Sequence, residues 1–461
     1  MLRFALLFLP YLISLAFTED PVKAYAIAWL GSFWIFWLTI TGKVRPLSPD
    51  LTRAQQFMRP PILTQLVFAG YMAVTSIFYF LDVNGYNLFD PGLSLSPNPY
   101  RVKLAAECQQ LYCLAHACLA TSLVYFEGRR KVPEYQFKRF DPLFLLYLSF
   151  GFTALSIVIN FLPGLQQLEF RFGRLSLIAS IVVLFISLRE RTPIYIMVGG
   201  FLFVLNMLTA FLSGWKEAVL VPIIILSVLV YPLYKRIVLM ISIPLFVGLL
   251  YILPTYNDIV RTKSWYEGID AAEAAEIALD ELEPIPSDIE ETNWEFLTLR
   301  LSEIHTFTKF KEYVPEHRPY YGTQLAYQGL QSILPRILYP GKPNMEEVVM
   351  ERVYEAGVIK RGGVVSAKPP AVIDAYLSGG ALGIILTFLT IGALASLASR
   401  EAERLFGGYL QGTALVYTGL FQIFWRGNCF EFMFNAVLWS FVLMYALFWL
   451  GRRTNLIVKV E

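Results

Sequence analysis

The chain has 461 residues, of which 56% are hydrophobic and 16% charged, with a net charge of only +2. A soluble core of this size needs far less apolar sequence, so the composition selects a polytopic membrane protein and excludes an ordinary soluble enzyme. The near balance of charge leaves no footprint for nucleic acid; what carries information is where the basic residues fall.

Taken in order, apolar runs approaching the roughly 20 residues needed to cross a bilayer occupy 2–17, 23–41, 62–82, 104–125, 142–161, 175–188, 192–212, 218–233, 236–254, 372–398, 405–425 and 432–450. Twelve transmembrane helices are therefore expected. The first follows Arg3 and reads as an uncleaved helix, because Ser14-Leu15-Ala16-Phe17-Thr18 is a poor cleavage site. Cys108, Cys113 and Cys118 share the fourth run at spacings that spread them around a helix, which suits apolar fillers and not metal ligands. His116 and Glu107 in the same run are expected to hydrogen-bond between helices.

Alternate connections carry the basic residues: Lys43, Arg45, Arg53 and Arg59; Arg129, Arg130, Lys131, Lys138 and Arg139; Arg189 and Arg191; Lys235 and Arg236; Arg400 and Arg404; Arg452 and Arg453. By the positive-inside rule both termini are cytoplasmic and the long segment 255–371 lies outside. The expected organisation is an N-terminal bundle at 1–254, an external loop domain at 255–371 and a C-terminal helical part at 372–461.

The long segment has its own order. Asp270 and Glu273 have capping-box spacing before an acidic, alanine-rich helix that ends at Pro284 and Pro286. An amphipathic external helix is expected over Trp294–Val314, then a stretch punctuated by proline and glycine to Pro343, then a helix over Met345–Ala356 broken by Gly362-Gly363.

Cations gather in sequence around this segment. Leu334-Pro335-Arg336-Ile337-Leu338-Tyr339-Pro340-Gly341-Lys342-Pro343 holds Arg336, Tyr339 and Lys342 in one irregular turn. Ser213-Gly214-Trp215-Lys216-Glu217 puts Lys216 at a helix junction, Arg261 follows the ninth run, Arg300 lies in the second external helix and Arg426 follows the eleventh run. Fixed positive charge at the mouth of a bundle suits a phosphate or pyrophosphate, which guanidinium groups bind through paired hydrogen bonds. The plainer alternative is pairing with nearby carboxylates, and for Lys216 pairing with Glu217 or snorkelling. His305, in its neutral form, is the candidate general base, with Glu303 and Asp374 as rivals. The strong motifs of soluble catalysis and of ATP hydrolysis are absent.

Many helices with one large late loop, Ser213-Gly214-Trp215-Lys216 at a junction, Tyr321-Gly322-Thr323 leading into the Pro335–Pro343 turn, and Asp374-Ala375-Tyr376-Leu377-Ser378-Gly379-Gly380-Ala381-Leu382-Gly383 after it, together resemble the bacterial oligosaccharide repeat-unit polymerases, the Wzy-type O-antigen polymerases. The resemblance implies a C-type glycosyltransferase fold in the bacterial inner membrane with its active site facing the periplasm. It implies metal-independent, cofactor-free transfer of a growing glycan from undecaprenyl pyrophosphate to a lipid-linked repeat unit. It also implies partnership with a chain-length regulator and a flippase. On this reading Arg336 and His305 are catalytic, and Lys216, Arg261, Arg300, Arg336, Tyr339, Lys342 and Arg426 hold pyrophosphate. Lys216 stands where that family has arginine, which removes the bidentate fork. An O-antigen ligase using a lipid A core acceptor, a transporter of lipid-linked glycan, and a non-catalytic envelope scaffold are the alternative readings.

Overall fold

The computed structural model describes residues 2–90, 92, 96–128, 130, 132–162, 166–282, 289–335, 339–361 and 367–460. For residues 2, 166, 167, 216, 265, 266 and 426 only the backbone is described. Among the described residues the chain is all-α apart from one antiparallel pair of three-residue strands, Tyr135–Phe137 with Ile457–Lys459.

Among the described residues eight helices are long and apolar enough to cross a membrane: Pro21–Ile40, Pro60–Val83, Pro142–Asn160, Leu168–Glu190, Pro193–Leu212, Lys235–Ser264, Ala371–Phe406 and Phe430–Arg453. The other expected spans take different forms. The first is broken into Leu2–Ala5 and Leu9–Leu15. Pro99–Glu127 is one continuous helix whose centre carries Gln109, Gln110 and His116, all buried, which lowers its hydropathy. Lys216–Val230 is short, and Tyr409–Tyr417 is π-helical, followed by short turns at Thr418–Leu420 and Ile423–Arg426.

Helix starts follow from local chemistry. Asp20, Asn98 and Asp141 each accept a backbone N–H in the first turn, and each precedes a proline whose missing N–H costs nothing there. The central element is helix 99–127, packed against 371–406 and 21–40, with Cys108, Cys113 and Cys118 fully buried and unpaired as apolar fillers. His116 departs from expectation: it is fully buried against the Phe68 ring, and neither ring nitrogen has a partner.

The basic connections gather at one end of the bundle. Arg59 and Arg130 both reach Glu403 at 3.1 Å, Arg404 pairs with Glu134, Phe57 packs on Tyr231, and Tyr234 donates to the Leu188 carbonyl. The long segment is attached at the opposite end. We refer to these as the basic end and the loop end.

Within the long segment Asp270 caps Ala271–Glu281, and Met345–Glu355 is helical, both as the sequence predicts. A further helix, Gln324–Ile333, forms inside the stretch expected to be irregular. It docks on helix 430–453, where Asn435 donates to the Ser332 carbonyl at 2.8 Å and Trp439 to that of Ile333 at 3.2 Å.

Candidate active site at the loop end

The expected external helix over Trp294–Val314 is a hairpin that enters the bundle, and this corrects the sequence reading. Ile289–Glu295 continues into a π-helical turn, Phe296–Leu301, then reverses at Ser302–Glu303 and returns as Ile304–Tyr313. At the entrance Trp294 donates to Asp82 at 2.9 Å. At the tip Tyr71 donates to Glu303 at 3.3 Å, and Tyr112 to the Ser302 carbonyl at 3.0 Å. On the way back Thr308 meets Tyr79 at 3.4 Å, and Lys311 pairs with Glu107 at 2.6 Å.

Along helix 60–83, the distance from Asp82 down to Tyr71 is about 16 Å at roughly 1.5 Å per residue. The tip therefore sits halfway down a helix long enough to cross a membrane. Non-helical backbone is tolerated at such depth only where protein encloses it and supplies its hydrogen bonds; Tyr112 does so for the Ser302 carbonyl, while Tyr71, Tyr79 and Glu107 hold side chains of the hairpin. Hydropathy misses the hairpin because its two limbs are short and carry matched polar groups.

Glu303 occupies the turn. Its φ of 56° is left-handed, a conformation that costs a residue with a side chain on the order of 1–3 kcal/mol and that clusters at functional sites. The carboxylate is half-buried, receives Tyr71 and contacts Thr306 Oγ1 at 3.4 Å. Tyr71 itself lies in a π-helical stretch, Ala69–Val74, and Glu217 approaches it electrostatically from the 213–217 turn. Arg261 is fixed to that same turn: its Nε donates to the Gly214 carbonyl at 3.0 Å and its guanidinium lies 5.0 Å from the Trp215 ring centre. Of the predicted site, Arg261, the 213–217 turn and the hairpin carrying Arg300 and His305 thus come to one end, with Arg300 exposed. Lys216 begins helix 216–230 and Arg426 ends 423–426; their side chains lie outside the description.

His305 is half-buried beside the Tyr79 ring, 5.7 Å between centroids.

The second predicted grouping is described only in part. Arg336 falls outside the described residues. Lys342 donates to the Ser332 and Leu334 carbonyls at 2.5 and 2.9 Å, so its cation caps the C-terminus of helix 324–333. Tyr339 is half-buried in the turn leading to it, its carbonyl accepting from Lys342 N–H at 3.1 Å.

Asp374, the other rival base, is fully buried. Arg352 contacts it at 3.0 Å and Glu431 at 2.6 Å, and the Phe430 N–H donates to it at 2.8 Å. Two carboxylates and one guanidinium, all essentially without solvent, join helix 345–355 to the first turns of 371–406 and 430–453. Cys429 completes a buried Asp374–Cys429–Glu431 group, but the guanidinium already occupies both carboxylates. The geometry is that of a fastening.

Sequence reasoning missed Tyr71, Arg352 and Glu431. Arg352 lies on a helix that the sequence places in the external loop domain, where an arginine ordinarily faces water. Nothing local distinguishes it. Tyr71 is one apolar-compatible residue in an apolar run.

The family described as "Domain of unknown function (DUF8712)" matches residues 9–459. The chain belongs to this family. No curated protein and no solved structure matches it.

Proposed function

We propose that the protein is a membrane-embedded glycosyltransferase that polymerises undecaprenyl-pyrophosphate-linked oligosaccharide repeat units, acting at the periplasmic face of the bacterial inner membrane. The observation that carries this reading is the hairpin tip: a carboxylate in a strained turn, halfway down the bundle, with Arg300 one turn before it on the same hairpin and Arg261 fixed to the 213–217 turn. A lipid-linked donor presents its pyrophosphate at the membrane surface, so the acceptor sugar enters the bundle from the loop end to reach Glu303. Departure of a pyrophosphate adds charge to a group already charged, and Arg261 and Arg300 stabilise that change best where water is scarce. Glu303 takes over the role of general base that the sequence assigns to His305, since its carboxylate sits at the hairpin tip with a tyrosine hydroxyl to orient it.

The twelve-span topology with both termini in the cytoplasm belongs to the same proposal. Supporting it, Phe4 packs on Tyr125 at the basic end, and Gly214 meets Arg261 at the loop end while Tyr231 lies at the basic end. The first, short and π-helical segments then cross as well.

The test is a gel of surface and lipid-linked polysaccharide from the source cell lacking this gene, complemented with wild type or Glu303→Gln. Glycolipids capped by a single repeat, restored to long chains by wild type and not by Glu303→Gln, support the polymerase. Uncapped core with long lipid-linked chains indicates ligation instead, and an unchanged pattern removes the glycan reading.

A further inference from the structure

At the basic end, helix 99–127 finishes with its last carbonyls facing two guanidinium groups. Arg45 donates to the carbonyls of Val124 and Tyr125, and Arg400 to that of Phe126 at 2.9 Å. A Cβ placed on Gly128 would lie 3.6 Å from Arg400 Nη1 and 4.0 Å from Arg45 Nη2, so the two groups flank one point.

Three neighbouring arginines are neutralised by carboxylates. Arg59 pairs with Asp50 and Glu403, Arg130 with Glu127 and Glu403, Arg404 with Glu134 and Glu401. Among the described residues no ion pair serves Arg45 or Arg400. A helix C-terminus offers only about half a negative charge, against two full positive ones. Each arginine uses Nη1 for the carbonyls, and a guanidinium has five N–H donors, so both retain a free edge for a second acceptor.

Beside Arg400 opens a cavity of about 210 Å³, lined by Arg130, Leu397, Arg400, Glu401, Glu403 and Arg404. At roughly 30 Å³ per water this has room for several waters, and so for a phosphate group. The surroundings are those of a membrane–water interface: Lys43 Nζ sits 3.7 Å from the Trp37 ring centre, and Tyr125 is 58% exposed.

We propose that Arg45 and Arg400, with the cavity beside Arg400, form a binding site for a phosphate group at the end of the bundle opposite the candidate active site. Its two sources are the headgroup of an anionic phospholipid and a free phosphate. The inference is independent of the glycosyltransferase reading, since no residue is shared.

The full chain is purified in neutral detergent and its melting midpoint followed on adding phosphatidylglycerol against phosphatidylcholine, and inorganic phosphate against chloride of equal ionic strength. The Arg45→Gln/Arg400→Gln variant keeps donors for the helix carbonyls and removes both charges. The expected result is a saturable rise of several degrees in wild type, with apparent affinity at least tenfold weaker in the variant. A rise with phosphatidylglycerol alone assigns the site to a lipid headgroup, and a rise with both to any phosphate. No rise with either, or equal rises in wild type and variant, overturns the proposal. Should the double variant not fold, Arg400→Gln alone is measured with phosphatidylglycerol adducts counted by native mass spectrometry, and an unchanged adduct count overturns it equally.

Discussion

Two residues show how burial decides what a polar side chain is for. His305 is half-buried against the Tyr79 ring, so its place on the hairpin is one of packing. His305→Phe is expected to leave polymer length intact at pH 7, checked on the polysaccharide gel, and shortened chains would return the base to His305. Arg352 is a cation that burial makes indispensable. Removing one partner of a buried ion group costs about 3–5 kcal/mol because the others stay charged and unpaired. Arg352→Met is therefore expected to abolish folded protein in size-exclusion profiles, and Arg352→Met/Asp374→Asn/Glu431→Gln to recover a measurable part of it.

At the scale of elements, what was legible in the sequence was whatever local chemistry writes. The capped helix after Asp270, the helix over Met345–Glu355 and the long apolar helices carry their own start and stop signals, and they stand where those signals put them. The hairpin was not legible, because its fold depends on Tyr71, Tyr79, Glu107 and Tyr112 in distant helices. The same holds for the site: Arg261 and the 213–217 turn, both legible as candidates, do meet, whereas the hold of Lys342 on the end of helix 324–333 was not legible because that helix was not. Helix 371–406 adds a break that the Gly379-Gly380 pair supplies. Gly380 has φ of +59°, and a Cβ there would stand 3.0 Å from the Tyr320 hydroxyl. The break lets residues 371–378 stand apart from the long limb and carry Asp374 to Arg352. Gly380→Ala is expected to destabilise by about 1–2 kcal/mol through left-handed backbone alone, more if Tyr320 cannot yield, and a chemical-denaturation midpoint at or above wild type would contradict it.

For the whole molecule, the grouping of basic connections gives the orientation a structural footing that a charge count lacks. Loops rich in lysine and arginine, scattered over the sequence, converge through Glu403, the 135–137/457–459 strand pair and the Phe57–Tyr231 contact. Whether the two ends lie on opposite sides of a membrane turns on helix 216–230, which covers only about 22 Å at 1.5 Å per residue. Its geometry is that of a crossing element: Ser227 bonds Ser242 at 2.7 Å in the antiparallel helix 235–261, and its two flanks reach Arg261 and Phe57 at opposite ends. The four native cysteines are buried, so single reporter cysteines can be read against a low background. Leu279→Cys, at a residue 60% exposed in the long segment, is expected to react with a membrane-impermeant maleimide in intact cells with a permeable outer envelope. Val132→Cys, at a residue 80% exposed at the basic end, is expected to react only after the inner membrane is opened. Labelling of both from outside would mean that helix 216–230 or a neighbour does not cross, and would take the hairpin tip out of reach of a periplasmic substrate. The reverse pattern would turn the bundle over, put Glu303 on the cytoplasmic side and contradict the proposed periplasmic reaction.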